Sequence, residues 1–218
     1  MSRVLLEPAR AGRNASRQVV LLPPAYSQPE DFLRAGFAAA LRARGLDVDL
    51  VLIEPRLQSV TDRGVLTELA QLIAAARAAG CASLWLGGIS LGAYLALACA
   101  EREARGLDGL CLFAPYLGSH IVTGEIERAG GVGAWEPGVP SERDEERRIW
   151  RFLKAQARGP LPIHLGLGRE DRFGARHRTL AGALAPESVD VVPGGHEWPV
   201  WRTLWERFLD ARIQRHSA

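Results

Sequence analysis

Lysine is almost absent from this 218-residue chain: Lys154 is the only one, and arginine carries the rest of the positive charge. That bias reads as genomic composition and marks no chemistry. Cysteine is scarce as well. Cys81, Cys99 and Cys111 are an odd number without metal-ligand spacing, which argues against a disulfide framework or a zinc site. They read as reduced, mostly buried thiols of a cytoplasmic protein, so the sequon Asn14-Ala15-Ser16 carries no weight. Long apolar runs are missing too. Arg, Glu or Gly interrupts every candidate before the ~18 residues a membrane span needs. Residues 1–14 lack the apolar stretch and small-residue cleavage site of a secretory signal, so none is expected. Nor is there charge of one sign: 27 basic residues against 25 acidic ones leave a net +2, which favours neither nucleic acid nor a membrane surface.

What remains is an ordinary globular composition, 47% apolar and 24% charged, which excludes disorder and a coiled coil. The length suits one domain and is too short for two well-cored ones. Short apolar runs rich in branched residues alternate with segments of helical period. Strands are expected over Arg17–Leu22, Val48–Ile53, Ser83–Gly87, Leu107–Phe113, Ile163–Leu167 and Ser188–Val192. Between them fall a helix opened by Ser27 and Glu30 as a capping box and closed by Gly45, then helices over Thr61–Ala79 and Gly92–Arg105. A last helix spans Trp198 to Ile213. Near-continuous apolar strands alternating with helices imply a mostly parallel sheet covered on both faces, with the strand C-termini along one edge. The one long departure is Leu117 to Pro160, which is Gly-rich and then helical over Ser141–Ala157; it reads as a cap or as a surface decoration.

One motif stands where chemistry is expected. Gly88-Ile89-Ser90-Leu91-Gly92 follows the third of these strands and opens a helix. In that context G-x-S-x-G marks a turn so tight that only glycine fits two residues either side of the serine. The turn lifts the Ser90 hydroxyl above the sheet edge and aims the N–H of Leu91 at an oxyanion forming beside it. A P-loop would need Lys-Ser or Lys-Thr after the last glycine, whereas Ala93-Tyr94 stands there, and no G-x-G-x-x-G exists in the chain.

A serine hydroxyl needs a base. His216 lies in the tail, His177 in a helical stretch that reads as surface, His164 inside a strand, and His120 on a loop. His196 differs, because it follows the last strand on the flexible Gly194-Gly195 pair and can reach the sheet edge. An imidazole in that role needs a carboxylate to fix its tautomer. Asp171 in Gly168-Arg169-Glu170-Asp171 is the first choice and Glu170 the neighbouring alternative; both could instead be solvated partners of Arg169 and Arg172. Tyr26, Tyr116 and Trp135 fall on or near loops at the functional edge and are candidate pocket residues. Trp198, Trp201, Trp205 and Phe208 recur at helical spacing and read as core.

These three stretches, each after a strand and in the order Ser90, Asp171, His196, resemble the α/β-hydrolase superfamily over nearly the whole chain. Gly194-Gly195-His196-Glu197-Trp198 is similar to the histidine loop of small serine carboxylesterases. The resemblance implies an α/β fold of one domain over 1–218 with a small insertion over 117–160. It also implies a Ser-Asp-His hydrolase of small acyl substrates that needs neither metal nor organic cofactor. Ester cleavage is the expected activity. Thioester cleavage and a non-catalytic binding role on the same scaffold are the alternatives. One departure matters: such hydrolases often carry His-Gly after the first central strand, and Pro23-Pro24 stands there. Proline has no N–H, so the second oxyanion donor would be Ala25, or Tyr26 if the loop is shifted.

Overall fold

The computed structural model describes residues 2–55 and 64–214. Its strands are β1 (Arg3–Glu7), β2 (Arg17–Leu22), β3 (Asp49–Glu54), β4 (Ser83–Ile89), β5 (Gly109–Phe113), β6 (Ile163–Gly168) and β7 (Val189–Val192). They form one sheet in the order β1-β3-β2-β4-β5-β6-β7. From β2 to β7 every pairing is parallel, and β1 alone runs antiparallel, against β3. Every residue of β5 is buried, as a strand covered on both faces must be. The six expected strands are present to within two residues at each end. β1 was not foreseen. It sits at the sheet edge with Val4 and Leu6 exposed, so backbone pairing and not an apolar pattern defines it.

The helices are α1 (Pro29–Arg34), α2 (Phe37–Ala43), α3 (Gly64–Ala78), α4 (Leu91–Glu103), α5 (His120–Arg128), α6 (Glu145–Gln156), α7 (Gly174–Ala181) and α8 (Trp198–Phe208); a π-helical turn, Leu209–Ile213, extends the last. Two expectations are corrected. The capping box is formed by Gln28 and Asp31, not by Ser27 and Glu30, because the chain turns helical one residue later. The first helix is also two, broken at Gly36, whose φ is +83°. The guanidinium of Arg202 on α8 occupies the space a Cβ at Gly36 would need, and it donates to the Ala35 carbonyl at 2.9 Å. The expected helix start at Thr61, and His216, lie outside the described residues.

The core lies on both faces of the sheet. On one, α3, α4 and α6 cover β2 to β6, and the buried Ala93, Ala96 and Ala100 let α4 lie close to β2 and β4. On the other, α1, α2 and α8 pack their aromatics together. Phe37 stacks on Trp205 with centroids 5.3 Å apart, and Trp205 donates to the Phe37 carbonyl at 3.0 Å. The aromatic series of the last helix is therefore largely core: Trp201, Trp205 and Phe208 are buried. Losing one such indole would cost about 3–5 kcal/mol.

The Leu117–Pro160 connection folds against the body. Ile149, Trp150 and Leu153 bury the apolar face of α6, and Trp150 donates to the Leu117 carbonyl at 3.2 Å. α5 packs on α7, and Arg147 joins α6 to α5 through Glu125 at 2.7 Å. Trp135 is pulled into this core and is buried, not on a pocket rim; Lys154 Nζ donates to its carbonyl at 2.6 Å. Among the described residues no helix is long and apolar enough to cross a membrane.

Candidate active site

The parallel strand order reverses between β2 and β4, the place in such a sheet where ligands bind beyond the strand C-termini. Ser90 stands there, joining β4 to α4 at φ +52° and ψ −112°, a conformation an L-residue enters only under strain. The neighbouring glycines make it feasible. A Cβ on Gly88 would come within 2.6 Å of the Leu22 carbonyl oxygen, and one on Gly92 would run into the same carbonyl. Three backbone bonds clamp the turn: Ser90 N–H donates to Phe113 O at 3.0 Å, and Ser90 O accepts from Tyr94 N–H at 3.1 Å and Tyr116 N–H at 3.0 Å.

The two loops after β6 and β7 leave the same edge of the parallel sheet and meet each other there. Gly168 lets them approach, since a Cβ there would lie 2.5 Å from the Gly194 oxygen and 2.7 Å from that of Gly195. Arg169 N–H donates to Val192 O at 2.8 Å, and Glu170 N–H donates to Gly194 O at 3.1 Å. The Glu170 side chain accepts from Gly194 N–H. Glu170 thus ties down the loop that carries His196, while Asp171 reaches the ring itself: His196 Nδ1 lies 2.7 Å from Asp171 Oδ2. The other carboxylate oxygen of Asp171 accepts from Phe173 N–H at 2.9 Å. Burial pushes the Asp171 carboxyl upward, but the bonds from His196 and Phe173 outweigh it and hold the group below its usual range. It therefore stays ionised at neutral pH.

His196 is gripped edge-on by two rings, Phe173 at 5.2 Å and Trp201 at 5.0 Å between centroids. Its side chain is 10% exposed and Ser90 is 9% exposed, so both remain within reach of a small molecule. Among the described residues no hydrogen bond joins Ser90 Oγ to the ring; such bonds commonly tighten only when substrate is bound.

Leu91, the residue after Ser90, and the Pro23-to-Gln28 loop line a single cavity of about 560 Å³. The two candidate oxyanion donors, Leu91 and Ala25, are both among its lining residues. Tyr26 lines it too and is fully exposed, with φ +63°. Tyr116 is half-buried, 6.4 Å from Phe173 and 5.6 Å from Tyr94 between ring centroids.

His177 is a correction. It is buried, not on the surface, because α7 packs against β6 and α5 and brings that face to the Pro115 carbonyl. Its Nε2 lies 3.0 Å from the Pro115 carbonyl, and burial lowers its pKa although Asp171 opposes that shift. The sequence held one usable signal, the spacing from His177 to Leu180, which puts both on one helical face. His164 is buried as expected, but neither ring nitrogen makes a hydrogen bond. His120 opens α5 at the rim of a second cavity. The cysteines are no rival nucleophiles: all three are free and buried, and burial pushes the Cys99 thiol up to about 12.

No family model and no curated protein sequence matches this chain. Solved structures do match it over nearly its whole length. Est1E from Butyrivibrio proteoclasticus aligns with 12% identity and a TM-score of 0.65, covering 97% of this chain and 94% of that one. An S-formylglutathione hydrolase from Agrobacterium tumefaciens aligns with 14% identity and a TM-score of 0.60, covering 99% and 89%. FphF, a fluorophosphonate-binding serine hydrolase of Staphylococcus aureus, aligns with 9% identity and a TM-score of 0.63, covering 96% and 97%. Identities this low speak to the fold alone, and in that they agree with the strand order and the serine turn: the chain has the α/β-hydrolase fold.

Proposed function

We propose that this protein is a serine hydrolase that cleaves carboxylic esters through an acyl-enzyme on Ser90. The observation that carries the reading is the 2.7 Å bond from His196 to a buried, ionised Asp171, formed on two loops that leave the same sheet edge as the strained serine turn. With Asp171 accepting the Nδ1 proton, His196 presents the lone pair of Nε2 as a base. Nε2 takes the Ser90 Oγ proton as the oxygen attacks the acyl carbon. The oxyanion accepts from the N–H of Leu91 and that of Ala25, each such donor being worth about 3–4 kcal/mol of transition-state stabilisation. The imidazolium then gives its proton to the departing alcohol. Water, deprotonated by the same nitrogen, attacks the acyl-serine and releases the acid.

The cavity beside Leu91, about 560 Å³, suits an acyl group of modest size. Est1E has been solved with ferulic acid bound, and other structures of this fold are of S-formylglutathione hydrolases. Structures with this fold thus carry the names of a ferulic acid esterase and of S-formylglutathione hydrolases, and a carboxylic ester is the substrate proposed for this chain. A fluorophosphonate probe together with a panel of esters and matching thioesters tests it. Labelling at Ser90 and turnover of esters above thioesters are expected. No labelling of the folded protein would leave the scaffold without its proposed chemistry.

A further inference from the structure

A second cavity, of about 400 Å³, opens between α5 and α7 and is lined by Phe173, the ring that packs edge-on against His196. Its wall is cationic. Arg172 and Arg176 both line it, four residues apart, and among the described residues neither has a carboxylate within ion-pair distance. Arg172 lies over the face of Phe173, 5.0 Å from the centroid, which holds the guanidinium at the cavity mouth instead of loose in solvent. His120 and Thr123 line the opposite wall on α5, and Gly124 there leaves it unobstructed. Glu127 is the one acid on the lining, so two guanidiniums against one carboxylate leave a formal +1 with His120 neutral.

Resting on the hydrolase reading above, we infer that this cavity receives a carboxylate carried by the leaving alcohol, so that the preferred substrates are acyl esters of hydroxy acids. Two features place the charge on the alcohol and not on the acyl chain. His196 must protonate the alcohol, so that group departs on the histidine side, and Phe173 is the ring shared by His196 and this cavity. The acyl side is served by the other cavity, which holds Leu91 and the loop from Pro23 to Gln28. A net +1 wall matches a monoanion, and planar guanidinium forks match a carboxylate's two oxygens. A phosphate dianion would leave its second charge unbalanced against Glu127.

The experiment compares kcat/KM for the butyryl ester of γ-hydroxybutyrate with that for the same ester of γ-hydroxybutyramide, which is uncharged but similar in shape. The wild type is expected to prefer the anionic ester by at least about fivefold, the preference shrinking as salt rises. In Arg172→Gln/Arg176→Gln the ratio falls towards one. Arg176→Gln alone, which leaves the Phe173 contact in place, falls part of the way. Glu127→Gln raises the ratio by adding to the wall's net charge. A ratio near one in the wild type, or one that the arginine substitutions leave unchanged, overturns the inference. The thermal midpoint with added γ-hydroxybutyrate separates the two readings. If neither ester is turned over but γ-hydroxybutyrate still raises the midpoint of the wild type and not of the double variant, the cavity stands and the hydrolase reading fails. If esters are hydrolysed without charge preference and the midpoint does not move, the reverse holds.

Discussion

The ring of His177 is joined to the backbone oxygen of Pro115 at 3.0 Å, and the next residue, Tyr116, donates its N–H to the Ser90 carbonyl at 3.0 Å. A carbonyl can only accept, so Nε2 carries the proton and the neutral ring acts as a donor. Helix α7 is thereby linked to the serine turn through two hydrogen bonds.

His177→Leu leaves the Pro115 oxygen buried without a partner. Urea unfolding should show a loss of about 1–3 kcal/mol, with a drop in kcat as the Pro115–Tyr116 segment loosens. His177→Gln, which keeps a donor near the same place, should recover most of both. Equal losses in the two variants would deny the hydrogen bond any part.

Asp171→Asn should lower kcat by about three to four orders of magnitude with little change in stability, because the amide no longer holds His196 in the required tautomer. Glu170→Gln should cost much less, since that side chain bonds Gly194 and not the ring. The two substitutions thus separate the carboxylate that orients the base from the one that ties down its loop. Comparable kinetics for the pair would contradict that division.

Gly168→Ala should separate the two loops. Its methyl group would sit 2.5 Å from a backbone oxygen that no side-chain rotation can move. A stability loss of about 1–3 kcal/mol is expected, accompanied by a fall in kcat as His196 shifts from Asp171. Far-ultraviolet dichroism should be unchanged. Full activity in this variant would mean that the loops do not need their close approach.

Stability should fall as the pH drops from about 6.5 towards 4. Burial pulls the His164 pKa down to about 4, against the pull of Asp190 and with that of Arg212; burial also lowers His177. Both rings are neutral when folded and gain a proton on unfolding in that window. Acid therefore favours the unfolded chain there, and the folded state keeps its full stability above pH 6.5. For His164 the loss is on the order of 3 kcal/mol. His164→Leu, in a site ringed by Phe113 and Phe208, should flatten most of that slope. Denaturant midpoints at pH 7 and pH 5 measure it, and a His164→Leu protein with undiminished acid sensitivity would refute the assignment.

The serine turn was legible because its constraint is local: two glycines, a strand before and a helix after are all contiguous in sequence. His196 and Asp171 were legible because each follows a strand, where a parallel sheet sends its loops to one edge. Harder to see was anything decided by the far side of a contact. Gly36 breaks a helix to make room for Arg202, which is 166 positions away. The sheet edge holds β1 by backbone pairing with β3 and by Arg3 bridging Glu30 and Glu54, partners that are distant in sequence. Trp135 looked like a loop aromatic because its burial is decided by how α5 and α6 fold back over it, a tertiary contact that no local pattern records. His177 reads as surface in the sequence because an eight-residue helix offers too few turns to show which face is buried.

Replacing Ser90 by alanine and measuring ester turnover tests the central claim most directly. A folded Ser90→Ala protein with kcat reduced by about four to six orders of magnitude, and with no fluorophosphonate labelling, is the expected result. Turnover within tenfold of the wild type would place the chemistry elsewhere in the molecule.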